Sequence, residues 1–282
     1  MKAATGGPVD AAALRSHIRS LYRAGFALDE DGRPHPLVPQ GVLEADGEAL
    51  RDLAIREGAR ATVETGLCFG LSALSMCEAL VASGQPDVRH VAMDPGQRSL
   101  AGGAGLRALR EAGVAGIVEF HERKSQVVLP ELLAQGRVFD LAFIDGDHRF
   151  DAAFIDLYYL HRLVKPGGLL VVDDVWMPSV RLAVSYFVTN VGLEVVPSPF
   201  PGAQFRPESS GWLRRITDPP KARLAVLRCP AELRPRPWWG HFEPFADAEA
   251  GLVRARAAIA LEEQAKQWVD RARPLARRLR AR

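Results

Sequence analysis

The chain has 282 residues, a formal net charge of +2 and 48% hydrophobic residues, which suits one large α/β domain with extensions and excludes a disordered chain. A charge this close to balance gives no support to nucleic-acid binding. Three cysteines without a close pair predict no disulfide framework. The absence of a long apolar run predicts no signal peptide or membrane span, so we expect a cytoplasmic protein.

Two helices are predicted before the first strong strand. Apolar residues recur at helical spacing over residues 10–24, and residues 47–58 have a similar pattern. A polar, proline-bearing stretch separates the two segments. We expect residues 1–58 to form an N-terminal helical cap rather than part of the central core.

From residue 60 onward, short apolar runs alternate with amphipathic segments. This alternation predicts a parallel sheet with right-handed crossovers. We expect an α/β fold over residues 59–228, with a doubly wound, mostly parallel, seven-stranded sheet. The predicted strands are 61–64, 88–93, 116–120, 139–144, 169–172, 193–196 and 222–227, and the helices between them are 71–81, 99–112, 126–133, 152–164 and 180–191.

The last part of the chain has a different composition. Residues 197–220 are rich in Pro, Gly and Ser and exceed a typical loop, which predicts a functional or mobile segment. Residues 229–282 are predicted to be a C-terminal extension that ends in a basic amphipathic helix from about Glu249. This pattern favours a solvated or dimer-packing helix over one that touches anionic surfaces, and we expect a homodimer.

A glycine-bearing loop follows the first strand of the predicted sheet. It contains Gly66 and Gly70, and it leads into a helix whose second residue is Ser72. Glycines permit a tight turn, and the free N–H groups of a helix N-terminus suit an anionic group such as a carboxylate. The loop has neither the lysine of a phosphate-binding loop nor the dinucleotide G-x-G-x-x-G spacing. The alternative is a glycine turn that binds nothing.

Asp94 ends the second strand of the predicted sheet. An acidic side chain at this position can accept both hydroxyls of a ribose. The alternative is a helix cap, because Pro95 and Gly96 mark a turn. Taken with the glycine loop, Asp94 indicates a nucleoside-containing ligand across the carboxyl ends of the strands.

Acidic residues follow two further strands at the same edge of the predicted sheet. Asp145 follows one strand, and Asp173 and Asp174 follow the next. Parallel neighbours lie about 4.8 Å apart, so these carboxylates repel each other unless some pKa values rise or a cation neutralises them. Oxygen ligands favour Mg²⁺, Mn²⁺ or Ca²⁺ over zinc. The alternative is a set of helix caps.

His148 lies three residues after Asp145, just beyond the strand end. The reference pKa of histidine suits proton transfer at neutral pH, which makes His148 a candidate general base. A histidine in a surface turn is an equally good interpretation.

The motifs together resemble class I S-adenosylmethionine-dependent methyltransferases. The likeness is to the cation-dependent O-methyltransferases of the catechol and caffeoyl-CoA type, and it is closer still to bacterial relatives that act in natural-product biosynthesis. It covers about residues 45–197, and it rests on segments that occur in order: Glu64-Thr-Gly-Leu-Cys-Phe-Gly-Leu-Ser72, Asp94, Ser125-Gln126, Phe139-Asp-Leu-Ala-Phe-Ile-Asp-Gly-Asp-His148, and Lys165-Pro-Gly-Gly-Leu-Leu-Val-Val-Asp-Asp174.

The resemblance implies a Rossmann-like methyltransferase fold and a role for each matching residue. The residues implied at the cofactor are Glu64 and Gly66 at its methionine part, Ser72 at its carboxylate, Asp94 at its ribose, and Ser125 and Gln126 at its adenine, with Gly70 and Asp145 completing the set. Asp145, Asp173 and Asp174 would bind Mg²⁺.

The chain departs from the family pattern at two positions. Asp173-Asp174 stands where the family often has Asp-Asn, and His148 stands where the catechol enzyme carries a lysine. We therefore predict Mg²⁺-assisted methyl transfer from S-adenosylmethionine to a hydroxyl of a small molecule, with His148 and Asp145 as the catalytic residues. Two alternatives are a metal-independent methyltransferase that uses His148 as its base, and a nucleoside-binding protein that performs no transfer.

Overall fold

The computed structural model describes residues 10–205 and 222–232. Within these ranges, no helix is long and apolar enough to cross a membrane. The predicted C-terminal helix and much of the Pro-rich segment lie outside them. The elements are α1 (Ala11–Ala24), β1 (Phe26–Leu28), β2 (Pro34–Pro36), α2 (Glu44–Arg56), β3 (Ala61–Thr65), α3 (Leu71–Ala82), β4 (Arg89–Met93), α4 (Ala104–Glu111), β5 (Val118–His121), α5 (Ser125–Ala134), β6 (Phe139–Ile144), α6 (Phe150–Leu163), β7 (Val164–Val172), α7 (Pro178–Tyr186), β8 (Glu194–Val196) and β9 (Ala225–Arg228).

Seven strands form the central sheet in the order β5-β4-β3-β6-β7-β9-β8. The first five in this order are parallel, and β9 lies antiparallel between β7 and β8. This arrangement confirms the predicted doubly wound, mostly parallel sheet. The chain runs from β3 outward in one direction to β5 and later in the other direction through β6. Ligands of open α/β sheets bind at such a switch point, at the carboxyl ends of the strands.

Helices cover the sheet, whose central strands β3 and β6 are largely buried. One apolar cluster contains residues of α5, α6 and α7 together with strand residues such as Val63 and Phe139. A second cluster joins α2 and α3 to strand residues such as Phe143 and Val171. In α1, Asp10 caps the first turn and the apolar face buries Leu14 and Ile18.

Three details differ from the sequence predictions. The hairpin β1–β2 was not expected, because each strand has only three residues and prolines bound the second. Helix α4 begins at Ala104 rather than at residue 99, since Gly102 and Gly103 adopt positive φ angles just before it. Strand β7 begins at Val164, which pairs with Phe139 across an irregularity in register, so the Lys165-Pro-Gly-Gly turn signal does not delay the strand.

The ends of β3 and β6 approach each other closely at Gly66. This residue has a φ of 88°, and a Cβ atom at its position would overlap the carbonyl oxygen of Asp145. Only glycine fits both the left-handed backbone and the contact. Gly66 therefore sets how closely the glycine loop packs on the residues that follow β6.

Replacing Gly66 with Ala should lower the free energy of unfolding of the ligand-free protein by about 2–5 kcal/mol, from left-handed strain plus overpacking. Urea denaturation measures the change. The matched control is Gly116→Ala, because a Cβ atom there meets nothing within 4 Å. Equal stability changes for the two variants would contradict this account of Gly66.

Candidate functional site

A cavity of about 560 Å³ opens at the carboxyl ends of β3, β4, β6 and β7. It lies at the switch point of the sheet. The structure brings most of the residues predicted for the site to this one cavity. Those that line it are Gly66, Asp94, Ser125, Gln126, Asp145, His148, Asp173 and Asp174.

Asp94 holds the glycine loop in place. Its Oδ2 accepts hydrogen bonds from the backbone amides of Leu67 and Cys68 at 3.2 and 2.9 Å, and its Oδ1 accepts one from Gly96 at 2.8 Å. Each carboxylate oxygen can accept more than one hydrogen bond, so Asp94 retains acceptor capacity towards the cavity. The turn interpretation and the ligand interpretation of Asp94 are therefore compatible.

The other predicted residues of the loop lie behind the main cavity. Glu64 is fully buried, with His90 Nε2 3.4 Å from its Oε1, and burial raises the pKa of its carboxyl. Ser72 interacts with Glu64 and lines a small recess next to the cavity. Gly70 packs against the backbone of Gly105, so its lack of a side chain serves the contact between the loop and α4.

The paired ends of β6 and β7 place the acids side by side. Ile144 pairs with Val172, and Asp145 and Asp173 follow them directly. Asp174 adopts a left-handed φ of 55°, which is uncommon for a residue other than glycine. The backbone turn after β7 thus presents a second carboxylate to the cavity.

His148 lies between two of these carboxylates. Its Nε2 is 2.9 Å from Asp174 Oδ2 and 3.5 Å from Asp145 Oδ1. The interactions with Asp145 and Asp174 raise the pKa of His148 to about 10. The imidazole is therefore protonated at neutral pH. It supplies positive charge where the acids crowd together.

Asp173 has a different partner. Its Oδ2 lies 3.6 Å from a guanidinium nitrogen of Arg223, which also forms an ion pair with the buried Asp46 of α2. Burial and the charge of Asp145 raise the pKa of Asp173 to about 7, although Arg223 opposes the shift. The ion pairs with Arg223 connect the N-terminal helices, the segment before β9 and the end of β7.

The donor set at this edge fits a divalent cation. Asp145, His148 and Asp174 each offer one ligand atom, and the three atoms all lie within 4.8 Å of one another. Carboxylate oxygens suit Mg²⁺ and Mn²⁺, and an imidazole can join them once it has lost its proton. The predicted set of three carboxylates is arranged differently in the structure, because Asp173 lies with Arg223 and His148 lies between the other two acids.

Several cavity residues were missed in the sequence. Residues 39–42, between β2 and α2, line the cavity mouth, and Arg223 lines it from the segment before β9. No local signal marks Arg223, since Asp46, its partner, lies 177 residues away. Asp156, which does not itself line the cavity, did have a signal, because it is an acid on the mostly apolar buried face of α6.

Comparison with known families agrees with this arrangement. Residues 63–175 match a family model described as a methyltransferase domain. Tricin synthase 1 of Oryza sativa subsp. japonica is 37% identical over 144 residues, which are 49% of this chain and 54% of that protein. Caffeoyl-CoA O-methyltransferase 2 of Zea mays is 33% identical over 159 residues, 55% of this chain and 57% of that protein. The chain spans about half the length of the curated relatives it matches.

Solved structures with the same fold include bacterial enzymes. The O-methyltransferase TomG of Streptomyces achromogenes, which is involved in tomaymycin synthesis and was solved with S-adenosylmethionine, has a TM-score of 0.51 and 26% identity, covering 65% of this chain and 81% of TomG. An O-methyltransferase from Bacillus cereus with bound S-adenosylhomocysteine has a TM-score of 0.55 and 16% identity, covering 77% of this chain and 90% of that protein.

The His148 ion pairs predict a pH-dependent stability. Because the folded-state pKa is raised from 6.5 to about 10, the contribution is fully present below about pH 6.5 and is lost as the pH rises through about 10. The His148 side chain is 39% exposed. Allowing for solvent screening, we expect the free energy of unfolding of wild type to exceed that of His148→Gln by about 1–2 kcal/mol at low pH. Denaturation in EDTA across this range measures it, and a difference independent of pH would contradict it.

Removing Arg223 should leave Asp46 buried without its partner. We expect Arg223→Met to lower the free energy of unfolding by about 2–4 kcal/mol, and Asp46→Asn/Arg223→Met to recover part of that loss. The control Arg228→Met breaks an ion pair with Glu57, which is more exposed than Asp46, so its loss should be smaller. A double variant no more stable than Arg223→Met would disprove the pairing.

Proposed function

We propose that this chain transfers a methyl group from S-adenosylmethionine to a hydroxyl of a small molecule. Its residues 63–175 match a methyltransferase domain, and it is similar to a caffeoyl-CoA O-methyltransferase. The observation that carries the proposal is the single cavity at the switch point. At one end of this cavity lie the glycine loop and Asp94, which would bind a nucleoside. At the other end lies the cluster of carboxylates, which would bind the acceptor.

The cofactor half of the site would extend from the glycine loop to α5. Gly66 and the recess at Ser72 would take the methionine part, Asp94 would take the ribose, and Ser125 with Gln126 would take the adenine. The helix N-termini of α3 and α5 present backbone N–H groups at this edge, which favours polar or anionic groups of a ligand. Glu64 and Gly70 would support the loop from behind.

The acceptor half would lie at Asp145, Asp174 and His148. When bound there, Mg²⁺ or a similar cation would lower the pKa of the acceptor hydroxyl and fix its orientation. Two adjacent hydroxyls, as in a catechol or a sugar diol, would suit such a site. The acceptor oxygen forms its bond to the methyl carbon as the carbon–sulfur bond breaks, and the hydroxyl proton passes to a basic group of the site.

The charge state of His148 bears on which group receives that proton. With both carboxylates ionised, His148 holds a proton at Nε2 and cannot accept another. It becomes a base only when an acid is neutralised or when another cation takes over its role. The raised pKa therefore favours cation-assisted transfer over a metal-independent enzyme with a free His148 base.

One observation favours a different metal-independent version, in which His148 is not the base. His148 and Arg223 already place two positive charges among Asp145, Asp173 and Asp174, so the acids are partly neutralised by the protein itself. In that version His148 and Arg223 position the acceptor by charge. The two versions differ in their response to chelation.

The remaining proposals concern the setting of the reaction. The near-neutral net charge supports a small-molecule acceptor rather than nucleic acid or a membrane surface. The cysteines of the described residues, Cys68, Cys77 and Cys229, are all free thiols, which supports a reducing cytoplasm. A homodimer is proposed from the apolar residues of the predicted end helices.

Transfer to a panel of vicinal diols, with catechol among them, tests the function. We expect methylated product that depends on S-adenosylmethionine, loss of turnover in EDTA and recovery with Mg²⁺. Asp145→Asn should lower kcat/KM by about 100-fold, which corresponds to losing one charged ligand at the reacting group. Turnover that persists in EDTA would show that the reaction needs no cation. Failure of S-adenosylhomocysteine to bind in calorimetry would contradict the proposed function itself.

A further inference from the structure

Asp156 is a buried acid that the proposed reaction does not use. It lies on α6, is 2% exposed, and faces the protein interior among Ala153, Leu157 and Leu160. A carboxyl group is seldom buried unless it is paired, since desolvation of the charged form is costly. A carboxyl group buried at this position therefore needs a hydrogen-bonding partner or a functional role.

The groups next to Asp156 belong to the floor of the cavity. Its carboxyl interacts with the side chains of Ser125 and Thr65, and both of these residues line the cavity. Gly146 lies over the group, where a Cβ atom would come 3.4 Å from Asp156 Oδ2 and 3.3 Å from Thr65 Oγ1. Asp156 thus joins α6 to the end of β3 and the start of α5.

The hydrogen bonding of this group is incomplete. Asp156 Oδ1 and Thr65 Oγ1 are both buried and lack a well-aligned partner among the described residues. A buried polar atom without a partner costs free energy unless a ligand or water satisfies it. The orphaned atoms lie directly behind the Ser125 side of the cavity, where the adenine is proposed to lie.

We propose that Asp156 is a positioning residue of the cofactor site, which orients the hydroxyl of Ser125 towards a bound nucleoside. This inference rests on the proposed function. An ionised Asp156 accepts the hydrogen of the Ser125 hydroxyl, so the lone pairs of that oxygen are free to accept hydrogen bonds from a ligand amine. A protonated Asp156 donates instead, and the Ser125 hydroxyl then turns its own hydrogen towards the cavity.

The charge of Asp156 changes within a measurable pH range. Burial raises its pKa to about 6, while Ser125 and Thr65 lower it and the charge of Asp147 raises it slightly. Asp147 is the charged group that acts on Asp156 in the described part of the chain, and Ser125 of α5 and Thr65 of β3 act on it with hydroxyls. The nucleoside should therefore bind more tightly above this pH than below it.

Calorimetry with S-adenosylhomocysteine at about pH 5 and about pH 7.5 tests the proposal. We expect wild-type affinity to be about tenfold higher at the upper pH, the effect of about one hydrogen bond. Asp156→Asn should bind with the wild type's low-pH affinity at both values. Ser125→Ala, at a partly exposed position, should also lose most of this difference in affinity between the two pH values, the pH step. Adding Asp156→Asn to Ser125→Ala should then change little.

The matched control is Glu78→Gln, which removes another buried acid, paired with Arg15 and remote from the cavity. Its binding profile should equal that of wild type. A pH step that persists in both Asp156→Asn and Ser125→Ala, or a wild type without the step, overturns the role of Asp156 and leaves the proposed function standing. No binding of S-adenosylhomocysteine by wild type at either pH overturns both.

Discussion

Carboxylates that follow paired strands are forced together by the sheet itself. Because Ile144 and Val172 are partners, Asp145 and Asp173 emerge side by side, and Asp174 follows at once. Much of the surrounding structure responds to this crowding. His148 lies between Asp145 and Asp174, and Arg223 reaches Asp173 from the segment before β9. The N-terminal helices are connected to the same point through Asp46.

The pairing of β3 with β4 forms the other half of the cavity in the same way. Thr65 pairs with Met93, so Gly66 and Asp94 also emerge side by side. Asp94 fixes the glycine loop by accepting hydrogen bonds from its backbone amides. The loop is therefore held by a carboxylate that still faces the cavity. A ligand that spans both halves would meet one carboxylate with backbone amides and hydroxyls at one end and a cluster of carboxylates at the other. That contrast suits a nucleoside joined to a reacting cationic centre.

Local patterns predicted most of this site. Alternating strands and helices give the sheet, and residues that end neighbouring parallel strands must meet at one edge, which is why Gly66, Asp94 and Asp145 could be placed together from the sequence. Long-range charge pairing could not be predicted. Nothing near Asp173 indicates that Arg223 pairs with it, and nothing near His148 indicates that Asp174 joins Asp145 in holding its proton. Glu64 was expected at the ligand, and in the structure it is fully buried beside His90, outside the residues that line the cavity.

The central claim is that one cavity at the carboxyl ends of β3, β4, β6 and β7 binds S-adenosylmethionine. Amide hydrogen exchange with and without S-adenosylhomocysteine tests it most directly, because bound loops open less often. The account predicts protection confined to the glycine loop, the turn after Asp94, the start of α5 and the segment from Asp145 to His148. Unchanged exchange in these segments, or protection that falls on the far edge of the sheet, would contradict it.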